Sequence, residues 1–322
     1  MELFHDVNID WLGKKWILLG ISLICSIAGV ISMGMHVASI GTPVPLGVDF
    51  RGGTEVRLKF QNTPDVDLIR KATEDAGITD ARIVIFDAGR SQNEVLISLP
   101  EQKQENALDA GSHQISAALQ AHYGNPFEVR NVQVVGPTVG KQLEWQAIRA
   151  TALSLLGMLV YLWFRFQLIY GVAAVVAVFH DTLITVGFFA LTNTEISLTV
   201  IAAILTLVGY SMNDTIVVFD RVRENLRLSR KETLPEVVNR SINQTLSRTV
   251  LTSGLTFLTV LSLFLFGGPV LRGFSFALVV GILIGTYSSI AVAAPMLVAW
   301  QEWRAKKNGG ASLLPAAKRT RA

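Results

Sequence analysis

Charge is what this 322-residue sequence has least of: Asp, Glu, Lys and Arg make up only 16% of it, against roughly 25% in an average soluble domain. The shortfall is concentrated. No charged residue lies between Lys15 and Asp49, between Arg248 and Arg272, or between Arg272 and Glu302. Charge-free apolar runs of about 18 residues or more are membrane-span signals. They exclude a soluble enzyme, a secreted disulfide scaffold and a disordered tail. Cysteine is nearly absent too. The single Cys25 lies inside the first apolar run, so neither a disulfide framework nor a cysteine-based metal site is available.

The formal net charge of +3 is unevenly divided. Between Ala38 and Trp145 there are 10 Lys/Arg against 14 Asp/Glu, whereas the rest of the chain carries 18 against 11. The basic excess therefore flanks the apolar runs rather than covering the one soluble-looking segment. That is a topology signal and not a nucleic-acid footprint.

Six spans are expected, at Trp16–His36, Ala147–Phe164, Gln167–Thr192, Ile196–Phe219, Ser247–Phe266 and Leu271–Trp300. The first run exceeds the 7–15 residues of a signal-peptide core and reads as an uncleaved anchor. Lys14 and Lys15, Arg165, the Arg221–Arg248 stretch and the basic C-terminal tail place both termini in the cytoplasm. The corresponding division is a cytoplasmic N-terminus at 1–15, a first helix at 16–36 and an external domain with its linkers at 37–146. A five-helix bundle follows at 147–300, with a cytoplasmic loop at about 220–246, and then a tail at 301–322.

The external segment alternates and punctuates legibly. Thr54–Phe60 reads as a strand, Thr63-Pro64-Asp65 as a helix start with Pro at the first helical position, and Gly77 as its stop. Ala81–Phe86 and Glu94–Leu99 are further strands. A helix from about Glu101 to Tyr123 and a strand at Phe127–Val135 complete the order βαββαβ, a ferredoxin-like α+β domain. It contains no catalytic triad, metal-ligand spacing or phosphate loop. His113 and His122 read as isolated exposed histidines. No enzymatic activity and no cofactor is expected.

Ionisable groups inside spans cost about 2.5–3.5 kcal/mol each on insertion scales, so they are the first functional candidates. His180-Asp181 falls near the middle of the third span, and Asn213-Asp214 lies within the fourth. Arg248 begins the fifth, at a depth matching Asp214 if that helix starts a turn earlier. An Asp214–Arg248 pair would be mutually neutralising and could act as a proton switch, or could simply hold the helices together. Glu195 is expected to be solvated in an external turn. Gly281-x-x-x-Gly285 would allow close helix approach.

Four ordered motifs then coincide. Gly47-Val48-Asp49-Phe50-Arg51-Gly52-Gly53 follows the first span, and Val208–Thr215 with Asn213-Asp214 occupies the fourth. Phe219–Asn225 ends that span, and Ser241–Thr249, containing Leu246-Ser247-Arg248-Thr249, leads into the fifth. Together they resemble the SecF family of protein-export membrane proteins, over essentially the whole chain. The resemblance implies half of a twelve-helix unit of the RND superfamily architecture, completed by SecD. It implies work beside the SecYEG channel and its accessory membrane subunits in the bacterial inner membrane. There the pair would promote translocation and release of unfolded preprotein, driven by proton flow. It maps proton coupling onto Asp214 and Arg248, with Asp181 and Asn213 as further candidates and Ser211 only as a polar neighbour of Asp214. Gly47, Asp49, Phe50, Gly52 and Gly53 become a structural or hinge motif. A small-molecule or lipid exporter of RND type and a purely structural assembly subunit are the rival readings.

Overall fold

Helices occupy all six apolar runs. The computed structural model describes residues 8–78, 81–86, 93–99, 110–165, 168–229 and 232–307. Helix α1 (Lys15–Ile40) leads through the single-turn α2 (Val48–Arg51) into β1 (Gly53–Phe60), α3 (Val66–Asp75), β2 (Arg82–Phe86) and β3 (Glu94–Leu99). Then come α4 (Ala110–His122), β4 (Phe127–Val135), α5 (Pro137–Arg165), α6 (Leu168–Leu191), α7 (Leu198–Leu228) and α8 (Leu234–Phe266). The sixth span is composite: α9 (Pro269–Ser288), a π-helical turn (Ser289–Ala293) and α10 (Ala294–Lys307). Among the described residues, six helices are long and apolar enough to cross a membrane, and the chain is a multi-pass membrane protein.

The four strands form one antiparallel sheet in the order β2-β3-β1-β4. That is the ferredoxin-like arrangement expected from the element order. Alternation along β1 buries Val56, Leu58 and Phe60, which pack with Val95, Ile97 and Leu99 of β3 against Ile69 of α3 and Ile115 and Leu119 of α4. His113 and His122 are exposed on α4, as expected.

Several boundaries differ for identifiable reasons. Asp65, not Thr63, caps α3, because its carboxylate accepts from the amides of Asp67 and Leu68. Helix α4 begins at Ala110, and residues 101–109 of the expected helix lie outside the described residues. Helix α5 starts at Pro137, ten residues before the expected span, with proline at its first position. The expected loop at about 220–246 is mostly helix: α7 runs on to Leu228 and α8 begins at Leu234. These charged extensions hold together because Val222, Asn225, Val237, Val238 and Ile242 are buried along one stripe. The Thr233 amide donates to the Glu236 carboxylate at 2.7 Å, closing a capping box at the start of α8.

The sheet is fastened to the bundle through the glycine motif and the α6–α7 turn. Gly52 and Gly53 have φ of 74° and 125°, conformations that side chains other than glycine rarely adopt. They turn the chain from α2 into β1. Phe50 is buried beside Phe189, Val200 and Ile204, and the Gly47 amide donates to the Ile196 carbonyl. Asp49 makes two ties: Oδ1 accepts from Gln133 Nε2 of β4 at 2.7 Å, and Oδ2 accepts from the Leu198 amide at 2.8 Å. Ser197, at the N-cap position of α7, supplies no side-chain cap, so a carboxylate from elsewhere in the chain satisfies an end amide and complements the helix dipole. On the other flank, Arg82 of β2 donates to the Asn193 carbonyl at 2.8 Å and pairs with Glu195 at 3.1 Å. Glu195 is thus a partly buried ion-pair member rather than a solvated turn residue, because the domain sits down onto that turn.

Within the bundle α9 packs closely on α7. A Cβ on Gly281 would lie 2.5 Å from Leu207, and one on Gly285 would lie 3.0 Å from Ser211 Cβ. The small-residue pair allows the two helices to approach. Gly285→Leu is therefore expected to lower stability by about 1–3 kcal/mol through overpacking. Thermal unfolding in detergent micelles checks this, and an unchanged midpoint would contradict the close approach.

Candidate functional site

Two carboxylates are buried in the middle of this apolar bundle. Asp181 of α6 is 1% exposed and Asp214 of α7 is 2% exposed. Asp181 is densely held: its Oδ2 accepts from Ser211 Oγ at 2.6 Å and Ser288 Oγ at 2.7 Å, and its Oδ1 lies 2.9 Å from His180 Nδ1. Asp214 Oδ2 accepts from Ser253 Oγ of α8 at 2.6 Å. The Thr286 hydroxyl of α9 faces the same carboxylate but, though buried, falls outside hydrogen-bond geometry.

Helical spacing joins the two centres. Ser211, which serves Asp181, lies one turn before Asp214 on α7. Ser288, which also serves Asp181, lies two residues after Thr286 on α9, where the helix loosens into the π-helical turn. Such single π-turns recur at functional sites. Among the described residues, the polar groups that meet the carboxylates are hydroxyls apart from His180, and a hydroxyl can donate or accept by rotating about its C–O bond. The arrangement can therefore keep its hydrogen bonds in both protonation states of each carboxyl group. An apolar cleft of about 380 Å³, lined by Trp11, Val250, Phe257 and Tyr287 among others, also reaches Ser253 and Thr286. The Asp214 centre is thus one side chain away from a cavity between α8 and α9.

The expected direct pairing of Asp214 with Arg248 is not formed. Arg248 is exposed on α8 and makes no ion pair among the described residues, although it stands within Coulombic range of Asp214. The reason is helical geometry. Ser253 marks the level of Asp214 on α8, and Arg248 lies five residues earlier, about 7.5 Å along the axis. Its side chain leaves the bundle beside Gln244 and Thr252, which are exposed on the same helix. Asn213 is exposed on α7, and its side chain makes no hydrogen bond to Asp214 among the described residues. Ser211 does join the site, but on Asp181.

Sequence reasoning missed Ser253, Thr286 and Ser288. Hydroxyls are common in membrane helices, often bonded to their own backbone as Thr252 is to the Arg248 carbonyl. The one available signal was the Thr249-x-x-x-Ser253 pair immediately after Arg248 in a charge-free run. The residues of the glycine motif lie far from this centre, and their part is to attach the sheet to α7.

The family described as "Protein export membrane protein SecD/SecF, C-terminal" matches residues 115–303, and the "SecD/SecF GG Motif" matches residues 37–64. The protein translocase subunit SecF of Koribacter versatilis is 52% identical over 98% of this chain and 96% of its own length. That of Calditerrivibrio nitroreducens is 42% identical over 91% and 94%. Among solved structures, SecDF from Thermus thermophilus, a translocon-associated membrane protein, superposes with a TM-score of 0.81 at 36% identity. The match covers 92% of this chain and 39% of the SecDF chain, so the sequence spans about two fifths of that longer protein. A second SecDF structure, in a super-membrane-facing form, matches with a TM-score of 0.68 over 95% of this chain. With a matching family model over more than half its length and near-full-length relatives above 40% identity, the chain belongs to the SecD/SecF family of protein-export membrane proteins, as a SecF-type subunit of the protein translocase.

Proposed function

We propose that this chain works with a SecD partner beside the SecYEG channel, using proton flow to promote translocation and release of unfolded preprotein. The observation that carries the proton-driven reading is the pair of buried, hydroxyl-bonded carboxylates Asp181 and Asp214 on adjacent membrane helices. Charge is costly at that depth, and a group retained there is suited to taking up and releasing a proton. The partner enters through Arg248 and Asn213. An arginine keeps its charge under all ordinary conditions, so Arg248, turned out of its own bundle, needs an acceptor or water from outside this chain. A neighbouring subunit packed on α7 and α8 supplies it. The proton path then lies along the interface between the two subunits, with Asp214 on one side and Arg248 reaching across. Protonation of Asp214 changes which hydroxyls donate and which accept around it, and shifts the balance between two packings of α7, α8 and α9. A membrane potential adds about 2.3 kcal/mol per charge per 100 mV, enough to bias such a two-state element.

The test is proton flux into vesicles reconstituted with this chain and its SecD partner. An imposed gradient is expected to decay faster than in vesicles holding either subunit alone. Equal decay would overturn the reading.

The proposed site is the bacterial inner membrane, with both termini cytoplasmic and the α+β domain outside, following the Lys/Arg distribution. An impermeant thiol reagent applied to intact spheroplasts is expected to label Asn93→Cys and spare Lys307→Cys, both in a Cys25→Ala background. The opposite pattern would invert the topology.

A further inference from the structure

The face of the sheet turned away from α3 and α4 carries one continuous cross-strand row: Arg82 pairs with Ser98, Ser98 with Glu55, and Glu55 with Gln133. Both ends of this row are tied to the bundle. Arg82 binds the Asn193 carbonyl and the Glu195 carboxylate, while Gln133 binds Asp49, which caps α7 at Leu198. The row thus grips the N-terminal end of the helix that carries Asp214. Glu55 occupies its centre, and its carboxylate makes no hydrogen bond or ion pair among the described residues. A carboxylate seated between two others, with Arg82 committed to Glu195, is an unexpected choice for a purely structural contact.

We propose that Glu55 is a proton-binding site that governs how the α+β domain docks on the bundle, docked when Glu55 is neutral and released when it is ionised. Burial is the main force on this group. It faces Glu195 from the α6–α7 turn and Asp49 from α2, both repelling its charge, and Arg57 on its own strand, which attracts it. Burial and these two neighbours push the Glu55 carboxyl up to about 7. Glu195 is raised as well, first by burial, against the opposing pull of Arg82 and Arg51 and with a contribution from Asp49. Both groups therefore bind a proton more tightly in the docked arrangement than when hydrated. The sign follows by linkage. Docking is strongest at low pH and weakens as pH rises through about 7. With the domain outside, as proposed above, the row faces the acidic side of an energised membrane, and a proton gradient would favour the docked state.

Double electron–electron resonance on the purified full-length chain in nanodiscs tests this. Spin labels on Glu74→Cys of α3 and Val270→Cys at the start of α9, with Cys25→Ala, report the separation of domain and bundle. In the wild-type background, the undocked population is expected to rise several-fold, up to about tenfold, between about pH 6 and about pH 8. Glu55→Gln preserves size and polarity but cannot ionise, and is expected to stay docked at both values. Arg82→Gln, which loses the Glu195 pair, is expected to show more undocked protein at both. An unchanged pH response in Glu55→Gln, or a wild-type distance that ignores pH while Arg82→Gln lengthens it, would overturn the proposal. Asp214→Asn is expected to leave this response intact, so failure here is distinguishable from failure of the proton-flow reading.

Discussion

Asp214→Asn is expected to insert, fold and assemble normally, and to reduce proton-driven export to the rate seen without a gradient. Asparagine matches the shape of the carboxyl group and can still accept the Ser253 hydroxyl that the native residue accepts at 2.6 Å. The packing of α7 against α8 and α9 therefore survives. What disappears is the capacity to take up and release a proton, so the site stays in one state and cannot cycle. Inverted membrane vesicles energised by an imposed proton gradient give the measurement, with assembled complex quantified in parallel. If loss of export instead tracks loss of complex, the buried carboxylate is structural glue. Wild-type export from well-assembled Asp214→Asn vesicles would refute the proton-switch reading altogether.

Asp181→Ala and Arg248→Met are expected to separate folding from coupling, in opposite directions. Asp181 is the acceptor for Ser211 and Ser288 and the neighbour of His180, all inside the bundle. Its removal leaves the buried Ser211 hydroxyl without its acceptor, while Ser288 keeps the Gly285 carbonyl at 3.1 Å, and it opens a void. An unsatisfied buried group costs about 1–3 kcal/mol and the void adds to it, so a destabilisation of roughly 2–4 kcal/mol is expected, with a marked fall in the unfolding midpoint of the isolated chain. Arg248 is exposed and makes no ion pair among the described residues, so Arg248→Met should leave that midpoint nearly unchanged. The same substitution should lose gradient-dependent export in the assembled complex, where the guanidinium would meet its partner. Thermal unfolding of the isolated chain beside export by the complex decides between the two. A large loss of stability from Arg248→Met alone would show that its role lies within this chain.

The secondary structure was largely legible in the sequence because one-dimensional patterns encode it. Long apolar runs, three of them free of charge, marked all six membrane helices; the alternation of Thr54–Phe60 marked β1, and the apolar stretch Glu94–Leu99 after a turn marked β3, each to within a residue of its observed ends. The ferredoxin-like sheet order followed from element order alone, since few unknotted arrangements of βαββαβ pack two helices on one face. The helical extension of α8 was legible too, in the capping box Thr233-x-x-Glu236, but the density of charge around it suggested a loop. A narrow buried stripe is enough to keep such a helix, and charged residues on the other faces do not oppose it.

The partners of the buried groups were not legible. The sequence by itself determined that Asp181, Asp214 and Arg248 sit at membrane depth, because hydropathy fixes depth along a helix axis. Rotation about that axis and the facing of neighbouring helices depend on packing, and only the tertiary structure decided them. Those two variables turned Arg248 outward, gave Asp214 to Ser253, and gathered Ser211 and Ser288 around Asp181. They also turned Asp49, read in the sequence as part of a glycine motif, into the cap of a helix that begins 149 residues later. Contacts at that separation leave no local signature, because what selects them is the complementarity of surfaces that meet only after folding.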